Sequence, residues 1–113
     1  MIDNKAVQLI EEAVKREKDK AISNHGHFHS HNEAWAVLKE ECEEVNDESM
    51  SFDVVATNSL VDLWDMVKGD CVHEKLDAIL EIRQKAKELV QEGVQVMAMC
   101  DKWESLIKKE NKA

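Results

Sequence analysis

Glu41 and Glu44 stand three residues apart in the run Leu38-Lys39-Glu40-Glu41-Cys42-Glu43-Glu44-Val45. On a helix advancing about 100° per residue, Trp35, Leu38, Cys42 and Val45 gather into one apolar stripe. Val37, Glu41, Glu44 and Glu48 form a second stripe roughly 80° to one side, so these acids border a core instead of facing open water. Carboxylates at i and i+3 can aim their oxygens at one spot, and hard divalent cations select oxygen ligands. Glu92 is a third carboxylate set among apolar residues, one turn from Leu89 and Val96, with Gln95 three positions on along the same side. The expectation is a metal site holding Mg²⁺, or Mn²⁺ in its place, on Glu41, Glu44, Glu92 and Gln95. The competing readings are a solvated acidic face and structural ion pairing, because surface helices are rich in Glu. Gly93, beside Glu92, costs about 1 kcal/mol of helix propensity relative to Ala and suggests close approach of a helix or ligand there.

Helices must carry these residues. The 113-residue chain has no Pro, no Tyr and only three Gly. Its Ala, Glu, Lys, Leu and Val content lacks the β-branched and aromatic alternation of strands, so an all-α fold with four helices in a single domain, residues 1–113, is expected. The first helix runs from an N-cap at Asp3 to about Ser23, with Ile2, Ala6, Leu9, Ile10, Ala13 and Val14 inward. The second starts near Ser30 to Asn32 and ends near Glu48 or Met50, where Asn46-Asp47-Glu48-Ser49 weakens helical propensity. The third spans roughly 51 to 67 and is stopped by Gly69-Asp70. The fourth, from about Val72 to Lys108, is apolar over more than one narrow stripe. Its outer stripe of Val96, Met99, Trp103 and Leu106 is expected to meet a second subunit, giving a homodimer or homotetramer.

A formal net charge of -9 argues against nucleic acid as a partner, since phosphate binding needs clustered cations. No apolar run approaches a membrane span and no signal-peptide core is present, so the expectation is a cytoplasmic protein without a membrane partner. Cys42, Cys71 and Cys100 lack CxxC spacing and read as reduced, mostly buried thiols. The alternating His25, His27, His29 and His31 invite a transition-metal reading. A solvated loop accounts for them better, because alternation does not stack ligands on a helical face. Trp35, Trp64 and Trp103 lie on apolar faces, where packing is the simpler role.

The order of acidic helix, connecting helix and long second acidic helix, with the words HNEAWAVLKEECEEV and QEGVQVMAMCDKW, resembles the MazG-like all-α nucleoside triphosphate pyrophosphohydrolases over about residues 25 to 105. The leading KAVQLIEEAVKREKDKAISNHG is similar to the first helix of phage-borne and Gram-positive members. The resemblance implies an oligomeric four-helix unit that binds Mg²⁺ through EExxE and ExxD motifs and splits nucleoside triphosphates between the α and β phosphates. Glu40, Glu41 and Glu44 match the first motif; Glu92-Gly93-Val94-Gln95 is the candidate for the second, with Gln95 where the pattern has Asp. Asp62 and Asp65 offer a second-choice acidic pair. Glu41 would be a metal ligand in the catalytic centre, and Glu40 either a ligand through water or the general base. His29 and Glu33, at the mouth of the second helix, are candidate substrate contacts. Trp35 and Lys39 are further candidates for base and phosphate. The alternative reading is a non-catalytic helical binding or assembly module with a degenerate metal site.

Overall fold

The computed structural model describes residues 1–69 and 76–112, and within them every regular element is helical. Helix α1 spans Asn4–His25, α2 His31–Lys68 and α3 Leu76–Lys112. Asp3 caps α1, its Oδ1 accepting from the Ala6 N–H at 2.8 Å. Ser30 caps α2 in the same way, its Oγ accepting from the Glu33 N–H at 3.1 Å. Each cap satisfies one of the amides that a helix start leaves without a partner. Between the two helices Gly26 takes a φ of 76°, a conformation that costs a glycine nothing and lets α1 end there. Gly69 closes α2, its N–H reaching back to the Asp65 carbonyl. The expected stop at Asp70, the thiol of Cys71 and the start of the last helix at Val72 lie outside the described residues.

The expected boundary between a second and a third helix is absent: α2 continues through Asn46-Asp47-Glu48-Ser49 for 38 residues. Asn and Asp lower helix propensity by only a few tenths of a kcal/mol each, about 0.7 at most. Packing along α3 outweighs that, because tertiary contact supplies most helical stability in proteins. The described chain is therefore a long antiparallel α2–α3 hairpin with α1 laid against α3.

α1 covers only part of that hairpin, and the core lies where it does. Val14 of α1, Phe28 of the connection, Ala34 of α2, and Ala98 and Met99 of α3 are buried, with Ile10, Ala21, Val37, Leu38, Val94, Trp103 and Leu106 packed around them. Ala34 and Ala98 are fully buried, and their small side chains let the helices close up. Ile2 and Leu9, expected inward, are exposed instead. Met99, Trp103 and Leu106, expected on an outer stripe, belong to the chain's own core. Trp103 also donates its indole N–H to His31 Nδ1 at 2.8 Å, and His31 Nε2 pairs with Glu110 at 2.8 Å. This chain of contacts ties the end of α3 to the start of α2.

Along the other half of the hairpin no third helix packs among the described residues. There Val54, Leu60, Val61, Trp64 and Val67 of α2, and Leu76, Ile79 and Leu80 of α3, remain exposed. The molecule measures 67 × 29 × 23 Å, with a radius of gyration of 19.0 Å. A compact chain of this length would have about 13 Å.

Candidate metal centre

Glu41 and Glu44 sit one turn apart on α2, and Glu92 faces them from α3. One carboxylate oxygen from each lies within 4.8 Å of the others. Like charges gather at such spacing at a cost, and burial adds to it. Glu41 is pushed up from 4.5 to about 7, first by desolvation and then by the charges of Glu44 and Glu92. Burial likewise raises Glu92, assisted by Glu44 and then by Glu48. Glu41 Oε2, Glu48 Oε2 and Glu92 Oε2 are buried without a hydrogen-bond partner. Buried carboxylate oxygens without donors are what a hard cation satisfies, so the donor set fits Mg²⁺ or Mn²⁺.

Gln95, expected as a fourth ligand, is bonded through its amide nitrogen to α1. Its Nε2 donates to Glu17 Oε2 of α1 at 3.0 Å. Glu17 and Gln95 line two hollows at once, so their bridge forms the partition between them. On one side is a hollow of about 450 Å³ that reaches Glu92. On the other is a trough of about 390 Å³ lined by all three helices. Gly93, where the sequence suggests close approach, has open space around its Cα: a Cβ there would meet nothing within 4 Å. It lines a separate apolar recess with Cys42, Val45, Val96 and Met97.

The trough is graded along its length. Glu17, Gln95 and Glu41 stand at the metal end. Ala21, Val37 and Met99 make a middle that is apolar but for Lys20. Asn24, His25, Phe28, Glu33 and Lys102 close the far end. Of the residues expected to contact substrate, Glu33 is on the trough wall, while His29, Trp35 and Lys39 are not among its lining residues. Lys39 pairs with Glu43 on the exposed side of α2, its ammonium 6.0 Å from the Trp35 ring centre. Glu40 is exposed next to Glu41, adding to the field that raises it. Asp65 pairs with Lys68 in the far half of the hairpin, and neither it nor Asp62 joins the cluster. Cys42 and Cys100, expected to be mostly buried, are exposed free thiols. The alternating histidines do not assemble into a metal-ligating group among the described residues.

Glu48, Glu17 and Lys102 stand beside the cluster or on the trough without being among the expected site residues. Glu48 carries a signal, four residues beyond Glu44 on the acidic stripe. Lys102 carries another, a lysine three residues past Met99 on an otherwise apolar face. Glu17 has none, since nothing in a sequence tells which turn of α1 meets α3.

Comparison of the chain with protein-family models, with curated proteins and with solved structures returns no match. No helix among the described residues is long and apolar enough to cross a membrane.

Proposed function

We propose that the protein is a metal-dependent nucleoside triphosphate pyrophosphohydrolase of the MazG-like type, releasing pyrophosphate and leaving the monophosphate. The observation that carries this reading is the convergence of Glu41, Glu44 and Glu92 from two helices, with buried oxygens of Glu41 and Glu92 lacking donors, beside a trough of nucleotide size. These three residues would hold Mg²⁺ or Mn²⁺. When bound, such an ion neutralises phosphate charge and acidifies a coordinated water. Glu40, on the open side of Glu41, would take the proton of the attacking water as its oxygen bonds to the α-phosphorus and the bond to the β-phosphate oxygen breaks. Gln95, the expected fourth ligand, is held at the metal end of the trough through its amide nitrogen on Glu17.

The working form we propose is a homodimer. The accessible surface of 8388 Å² exceeds the roughly 6,300 Å² of a compact monomer of this mass by an amount typical of obligate interfaces. Two copies joined through the bare half of the hairpin would complete the four-helix packing that one chain leaves open.

A panel of nucleoside triphosphates with Mg²⁺ or Mn²⁺ tests the activity by pyrophosphate release. At least one triphosphate should be cleaved, and Glu41→Ala and Glu44→Gln should abolish cleavage with helical content unchanged. The Gln95–Glu17 bond, which occupies the residue standing where the motif has Asp, favours the second reading, a non-catalytic helical binding module. Release of no pyrophosphate from any triphosphate would establish that reading in place of the first.

A further inference from the structure

Lys102 is 4% exposed, and its ammonium lies 4.2 Å from the centre of the Phe28 ring, itself 3% exposed. The stem of the side chain is buried, while its ammonium stays open to the trough that Lys102 lines. Here the ring face is its partner, and among the described residues it has no hydrogen-bond or ion-pair acceptor. A ring face attracts the ammonium and satisfies none of its three N–H donors. Those donors face a trough whose wall at the same end carries the exposed Glu33, which has no side-chain partner among the described residues. Glu33 is set there by the α2 cap, where its backbone N–H is bound to Ser30 Oγ. A cation and an anion thus line one end of the trough without pairing with each other, and both are open to a ligand.

The distance along the helix decides which part of a ligand they meet. Lys102 follows Glu92 by ten residues on α3, about 15 Å at 1.5 Å per residue. Glu33 precedes Glu41 by eight residues on α2, about 12 Å. If phosphates occupy the Glu41 end, the apolar middle of Ala21, Val37 and Met99 receives sugar and ring faces, and the far end meets the edge of the base. Lysine can only donate there, and an ionised glutamate can only accept.

Resting on the function proposed above, we infer that this end reads a lactam edge: Lys102 donates to a ring carbonyl and Glu33 accepts from the neighbouring ring N–H. Guanine, hypoxanthine, uracil and thymine carry that carbonyl and N–H side by side. Adenine and cytosine present an amino group beside an acceptor nitrogen, which leaves Lys102 opposite a donor and Glu33 opposite an acceptor. The pocket therefore prefers nucleotides of lactam bases.

Calorimetric titration of the full chain with Mg²⁺ and the non-hydrolysable α,β-methylene triphosphates of guanosine, uridine, adenosine and cytidine tests the inference. Guanosine or uridine should bind at least about tenfold more tightly than adenosine and cytidine, the discrimination expected of one good polar pair. Lys102→Met should remove the difference by weakening the lactam nucleotides, leaving the adenosine compound unchanged. Equal binding of all four by the unaltered protein overturns the inference and leaves the proposed function standing. Equal weakening of all four by Lys102→Met also overturns it, because Lys102 would then serve the phosphates. Binding of none of the four removes the proposed function and this inference together. The unaltered protein decides the question even if the variant does not fold.

Discussion

At the scale of residues, the acidic cluster sets stability against function. Glu41 has a carboxyl pKa of about 7 in the folded chain and 4.5 as its ordinary value. The folded state therefore holds more protons between these values, and metal-free stability falls as pH rises from about 4.5 through 7. Thermal melts of the metal-free protein should show its melting temperature dropping over that window. Glu41→Gln should flatten the drop and raise the melting temperature at about pH 7.5, since it removes one of three crowded charges. Mg²⁺ reverses the comparison: at the same pH it should stabilise the unaltered protein and leave Glu41→Gln nearly unmoved. Because proton and cation compete for the same oxygens, Mg²⁺ affinity should weaken steadily below about pH 7. A melting temperature independent of both pH and Mg²⁺ would show that the three oxygens neither repel nor bind. Glu41, Glu44 and Glu92 are legible in the sequence because helical spacing sets carboxylates beside apolar neighbours, a pattern that needs no tertiary knowledge. Lys102 and Glu17 are not, since their roles depend on how α1 lies against α3.

At the scale of elements, caps and small residues position the site. Ser30→Ala removes the α2 cap and should cost about 1 kcal/mol in denaturant unfolding. It also frees the turn that holds Glu33, so the loss should be accompanied by weaker nucleotide binding. Ala98 is fully buried where α3 meets the core. Ala98→Leu should cost about 1–3 kcal/mol by forcing the helices apart, measurable in the same unfolding experiment. The ends of α1 and α2 can be read from Asp3, Ser30 and Gly69, because caps are local chemistry. The continuity of α2 cannot. Asn46-Asp47-Glu48-Ser49 has the composition of a helix end, and only the partner helix alongside it overrides that preference. The inward face of α1 stops short of Ile2 and Leu9 for a related reason: periodicity gives the apolar stripe but not how far along it a neighbour extends.

At the scale of the whole molecule, one end is built as a three-helix unit and the other as a bare hairpin. Leu60 is 59% exposed, Val61 57% and Trp64 60%, beside Ile79 and Leu80 of α3. Sedimentation or light scattering should return twice the 12.9 kDa chain mass. Val61→Asp combined with Leu80→Asp should return the chain mass itself, because two charges in an apolar interface cost more than a small contact recovers. A monomer for the unaltered protein at high micromolar concentration would refute the dimer.

The partial cover provided by α1 also bears on how backbone amides exchange with deuterated solvent. Around Val14, Ala34 and Ala98, opening an amide requires parting three helices; around Leu60, Trp64 and Ile79 it requires parting two. In a dilute sample of the doubly substituted chain, exchange should accordingly run in a gradient, slow near Ala34 and Ala98 and fast toward Lys68 and Leu76. In the proposed dimer the same amides near Leu60 and Ile79 should slow by orders of magnitude while those near Ala34 change little. One half of α2 then carries its own protection, and the other half would acquire it from the second chain of the proposed dimer.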